Sequence, residues 1–169
     1  MIKIKFTPAK ESPEIVEATK QYTEIWNTYK SDVVRLIEEH TGLYKWEDSI
    51  DISVHEGISQ SHPFFLRASY SEDTKLATLV HELIHRILDY NKIHISAEPQ
   101  SISLEIHKLL DLILYDIWTD LRGEEFAKRQ VEVESRRTPM YEEAWDYALS
   151  MSRTERQVKF KKLIKEIGK

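Results

Sequence analysis

The chain has 169 residues, of which 41% are apolar and 31% charged, with only four Gly and five Pro. That suits one domain with a sizeable core and leaves little room for flexible linkers. A net charge of −5 disfavours a general nucleic-acid binder, and the absence of cysteine excludes both a disulfide framework and a thiolate zinc site.

Ile2, Ile4 and Phe6 alternate with Lys3 and Lys5, which predicts a half-buried strand and not the apolar core of a signal peptide. No apolar run approaches the length of a membrane span, so the expected setting is the cytoplasm, without a membrane partner. Ser12-Pro13-Glu14 offers a cap, a proline at the first helical position and an acidic first turn. The helix it opens carries Ile15, Tyr22, Ile25, Trp26, Val33 and Leu36 at helical spacing and closes at Gly42. Ile50, Ile52 and Val54 alternate with polar residues, predicting a second strand over 49–55, and 64–70 reads as a third, entered through His62-Pro63.

Ser71-Glu72-Asp73 caps a further helix that should run to about Tyr90, followed by a loop over 91–100. One long helix is expected from about Ser101 to Gln130, disturbed at Gly123, and a last helix from Thr138-Pro139 onward. The final stretch, 153–169, carries seven Lys and Arg against two Glu and reads as a solvated basic helix face. The expectation is a single α+β domain spanning 1–169: a small sheet of three strands followed by a helical half.

The segment richest in chemistry is His81-Glu82-Leu83-Ile84-His85, set between Leu76-Ala77-Thr78-Leu79-Val80 and Ile87-Leu88. Histidines four apart share one helix face, and neutral imidazoles so placed can reach one zinc ion. Glu82 follows the first histidine and can serve as general base toward water. A buried helix that puts two histidines and a glutamate on its inner face incurs a desolvation cost unless something satisfies them. The competing reading, two histidines on the wet face of an amphipathic helix, needs no metal.

A catalytic zinc usually takes three protein ligands. The helix after the 91–100 loop offers two candidates, His107 and Glu105, which lie about 200° apart around the axis and so do not serve one ion together. His107 is preferred, because Asp111 sits one turn on and could orient a histidine as a buried carboxylate. Tyr115, eight residues past His107, is a weaker candidate for stabilising an oxyanion, and His94 in the loop a weaker ligand or donor. Asp116 and Asp120 read as partners of nearby basic residues, and His40, His55 and His62 show no partner spacing.

The stretch 78–88 resembles the active-site helix of the zincin metallopeptidases, as does the order of elements around it. In the gluzincin branch a glutamate on the next helix is the third ligand and an aspartate follows four residues later. Glu105 has a similar spacing from His85, but Leu109 stands where that aspartate would be, whereas His107 and Asp111 reproduce the pair with His for Glu. The metzincin extension is absent, and Arg86 departs from the uncharged residue usual after the second histidine.

The resemblance implies a zincin-like fold and zinc as cofactor. It also implies hydrolysis of peptide or protein substrates through a metal-activated water, with Glu82 as general base. It makes 64–70 a candidate edge strand for pairing with extended substrate. The alternative from another class is an inactive zincin-like binding or regulatory module.

Overall fold

The computed structural model describes residues 2–167. Among them are three strands, β1 (Lys3–Pro8), β2 (Ser49–His55) and β3 (Phe65–Arg67). The six helices are α1 (Pro13–Thr41), α2 (Glu72–Tyr90), α3 (Ile102–Arg122), α4 (Glu124–Ser135), α5 (Pro139–Leu149) and α6 (Arg153–Ile167). The class is α+β, with a small sheet and a larger helical part. No helix among the described residues is long and apolar enough to cross a membrane.

The sheet has the order β1-β2-β3 and all its pairs are parallel, with Ile4 beside Ile50, Phe6 beside Ile52 and Val54 beside Leu66. The long helix α1 makes the crossover that a parallel β1–β2 pair requires. It begins where the sequence places it: the Ser12 side chain accepts from the Ile15 N–H, and Pro13 opens the first turn. It ends at Gly42 in the left-handed conformation, φ 71°. β2 buries Ile50, Ile52 and Val54 and exposes Ser49 and Asp51, as its alternation implies.

α3 is the central element, packing against α1, α2, α4, α5 and α6. That position explains its almost unbroken apolar run, in which Leu109, Leu110, Leu112, Ile113, Leu114, Ile117 and Trp118 are all buried. Trp118 packs on Trp145 of α5, ring centroids 5.5 Å apart. α2 is buried on most sides from Thr74 to Leu88, which places its polar motif inside the protein.

Three expectations are corrected. The single helix over 101–130 is two, α3 and α4, separated at Gly123, whose φ of 89° and ψ of 164° suit glycine almost alone. The last helix is also two. Ser152 and Glu155 form a reciprocal cap, the Ser152 N–H donating to Glu155 (2.8 Å) and the Glu155 N–H to Ser152 Oγ (3.4 Å), and α6 starts afresh there.

The third correction concerns the third strand, which is only Phe65–Arg67, and its outer edge is not open. The N–H and C=O of Phe65 pair with Gln60. The Arg67 N–H donates to Ser59 Oγ, and the Arg67 C=O accepts from the Tyr22 hydroxyl. The segment expected to receive extended substrate is thus covered by the protein's own turn and by α1.

Candidate metal centre

His81, Glu82 and His85 lie on α2, begun by the Ser71 cap, whose Oγ accepts from the Thr74 N–H. His81 is 2% exposed and Glu82 6%. His107 enters from the second turn of α3 and is also buried. One nitrogen from each of His81, His85 and His107 lies within 4.8 Å of the others. The ring centroids are 5.0, 5.3 and 5.2 Å apart in the three pairings. Glu105, the rival to His107, is not in this group; it meets Lys108 instead.

The hydrogen bonds decide which nitrogens face the centre. His81 Nδ1 donates to Glu134 Oε1 (2.9 Å), leaving Nε2, which sits 3.2 Å from His85 Nε2. His107 Nδ1 donates to the Ser103 carbonyl (2.7 Å), which leaves its Nε2 as the free donor atom. Nitrogens bound tetrahedrally to one zinc are about 3.4 Å apart, from Zn–N bonds of about 2.0–2.1 Å. With Nδ1 of both His81 and His107 engaged elsewhere, their Nε2 atoms are the ones available to share a cation with His85.

The charges of His85 and His107 fit as well. Burial, together with the neighbouring His81 and His107, holds the His85 pKa well below the ordinary imidazole value. Burial and His81 lower His107 to about 4, against a small opposing effect of its bond to Ser103. Both are neutral at physiological pH, the form that binds a metal. For His81 burial also works against protonation, but Glu134 outweighs it and the pKa is raised. Glu134 in turn is pushed up by burial and brought down by His81 and Arg137, ending below the usual carboxylate range.

Among the described residues Glu82 makes no hydrogen bond that would stabilise either of its charge states. Burial raises its pKa to about 7, with His81 and Arg137 opposing and Glu134 assisting. A carboxyl poised near neutrality can both take and return a proton.

Glu134 is the residue the sequence reading missed. Its second oxygen accepts from the Trp145 indole (3.1 Å), and Arg137 lies 3.7 Å from the first. Asp111, expected to orient a histidine, hydrogen-bonds to none: both its oxygens are buried without a hydrogen-bond partner among the described residues. Burial and the nearby Glu134 raise its pKa well above the carboxylate value.

Tyr141 was missed too. Its ring packs edge-on against His107 at 4.7 Å and lies 6.2 Å from His81. Tyr115, the tyrosine singled out from sequence, lies under Arg156 instead. Arg86 turns away from the centre to pair with Glu47 and the Ser61 carbonyl, so the charge after His85 is absorbed elsewhere.

A cleft of about 250 Å3 opens beside His85, with Leu88, Ile95, Ile102 and Ile106 in its walls and His62 and His94 also lining it. Asp89 reaches towards both of those histidines, 3.4 Å from His62 and 3.6 Å from His94. A groove of about 800 Å3 lies between α1 and the 68–75 segment and contains none of the histidines. Asp116 and Asp120 hold α6 through Arg156 and Arg153, and Asp120 also pairs with His40. Comparison with protein-family models, curated proteins and solved structures finds no match to this protein.

Proposed function

We propose that this protein is a zinc-dependent metallopeptidase of zincin type, acting on peptide or protein substrates, with the cytoplasm as its setting. One observation carries the reading. Three histidine donor atoms gather within 4.8 Å beside Glu82, a buried carboxyl with no hydrogen-bonding partner among the described residues to hold its charge.

In this reading His81, His85 and His107 hold the zinc. When bound, zinc supplies Lewis acidity towards a carbonyl oxygen and acidifies a water. Glu82 takes the water's proton and passes it to the departing amine. Glu134 keeps the proton of His81 on Nδ1, and the Ser103 carbonyl does the same for His107, so both Nε2 lone pairs stay directed inward. Tyr141 walls the centre with a phenol that burial keeps protonated, a hydrogen-bond donor near the reacting group.

The rival reading, a zincin-like binding module without turnover, shares the metal but has no use for Glu82. A structural site would leave that carboxyl costly and unemployed. The test is metal content of untagged protein purified without chelator, with His107→Ala, Glu105→Ala and Glu82→Gln beside it. About one zinc per protein molecule, lost in His107→Ala and kept in the other two, supports the centre. Peptide cleavage by wild type and not by Glu82→Gln supports the enzyme. No zinc in wild type, even after zinc is added, overturns the reading.

A further inference from the structure

Tyr141 has a second neighbour besides the histidines. With Arg67, Tyr70, Arg137 and Thr138 it lines an open pocket of about 330 Å3. Arg67 comes from β3 and Arg137 from the turn between α4 and α5. Both guanidinium groups lie over the ring of Tyr70, with Cζ 5.8 Å and 5.0 Å from its centroid. Each cation is thus held against the Tyr70 ring, and both arginines line the same pocket.

Among the described residues neither cation is matched by a forked carboxylate. Arg67 donates from Nε to Ser69 Oγ (3.0 Å) and only just reaches Glu56, at 4.0 Å between two half-exposed side chains. Arg137 donates to Thr78 Oγ1 at 3.4 Å and lies 3.7 Å from Glu134. Both oxygens of Glu134 are already accepting, from His81 and Trp145. Each guanidinium carries five N–H donors, so most remain for a ligand. The first turn of α5, opened by Thr138, adds its partial positive charge to the same pocket.

We propose that this pocket binds a carboxylate of the substrate and so directs cleavage to bonds near a peptide's free C-terminus or an acidic side chain. The inference rests on the metallopeptidase reading for the nature of the substrate. Planar guanidinium groups bind carboxylates through paired, charge-assisted hydrogen bonds, and two of them beside Tyr141 set the anion next to the histidines.

Zinc-loaded Glu82→Gln protein, which holds substrate without turnover in this reading, is titrated calorimetrically with three peptides. They are N-acetyl tetra-alanine with a free C-terminus, its C-terminal amide, and the amide with glutamate in the last position. Preference for one or both acids by about tenfold or more over the plain amide is the expected result, and which acid wins identifies the source of the carboxylate. The same titration of the Arg67→Gln, Arg137→Gln double variant in the Glu82→Gln background, with zinc content measured on every sample, should abolish the preference. Equal affinity for all three peptides, or binding of none, overturns the proposal, as does a preference that survives in the zinc-bound double variant. Failure of the underlying reading shows separately, as absence of zinc, and acid preference in zinc-free protein still reports on the arginines.

Discussion

His81 Nδ1 and Glu134 Oε1 are 2.9 Å apart, although 53 residues separate them in sequence. This contact links the motif helix to α4 and sets the tautomer of the first histidine. Trp145 holds the carboxylate from its other side, so its orientation is constrained at both oxygens. Replacing Glu134 by Gln keeps the shape and removes the charge. On the proposed zinc reading, affinity for the metal should fall about 10- to 100-fold, the usual cost of losing a carboxylate that orients a ligating histidine. Competition with a chromogenic chelator measures this, and unchanged affinity would show that the pair serves packing alone.

Asp111 gives the opposite expectation. A buried acid without partners costs stability, so Asp111→Leu should raise stability at neutral pH by about 1–3 kcal/mol. Its folded pKa is raised, so the part of the deficit that depends on ionisation is absent below the ordinary value near 3.8 and grows as pH rises above it, on top of the pH-independent cost of its unpaired oxygens. Urea unfolding of both proteins between pH 4 and pH 8 reads the trend. A variant that instead loses stability and zinc together would return Asp111 to the supporting role expected from sequence.

Asp120 is the acid-sensitive joint of α6. Burial raises its pKa, but the hydrogen bonds from Arg153 and His40 outweigh this and the net shift is downward. A lowered carboxyl contributes stability above its unfolded pKa and loses it as pH falls through the folded value. Asp120→Asn should therefore lower the Tm at pH 7, with the difference from wild type vanishing in strongly acidic buffer. A difference that persists unchanged at low pH would remove charge from the explanation.

Gly123 separates α3 from α4 with a backbone that side chains rarely adopt, although a Cβ there would meet nothing within 4 Å. Gly123→Ala should cost about 1–3 kcal/mol through backbone strain alone. Chemical denaturation checks it, and a neutral result would mean the two helices can realign.

Local signals carried most of the fold. Ser12, Pro13 and Gly42 bound α1, Ser71 opens α2, and the alternation at Ile50, Ile52 and Val54 marks β2, because each depends on neighbours close in sequence. Ser152 and Glu155 show the cap spacing too, yet apolar residues continue on either side and hide the break. The shortness of β3 was not legible, since it follows from Gln60, Ser59 and Tyr22 covering its edge.

The site divides in the same way. His81, Glu82 and His85 announce themselves by spacing, and His107 by its place on a buried helix face. Glu134 had a fainter signal: Phe126, Gln130 and Glu134 recur every fourth residue and form the buried stripe of α4. A carboxylate on such a stripe needs a partner, but which histidine it meets depends on tertiary packing. Asp111 shows why spacing alone misleads, since a residue one turn beyond His107 on its own helix makes no hydrogen bond to the ring, whose Nδ1 turns back to Ser103.

The corner between α4 and α5 supplies Glu134, Arg137 and Tyr141, whereas all three histidines lie before residue 108. A nascent polypeptide emerging from its N-terminus therefore carries every imidazole of the centre well before the groups that orient and wall it. The motif is made early and the environment that surrounds it late, which ties completion of the candidate centre to synthesis of the α4–α5 segment.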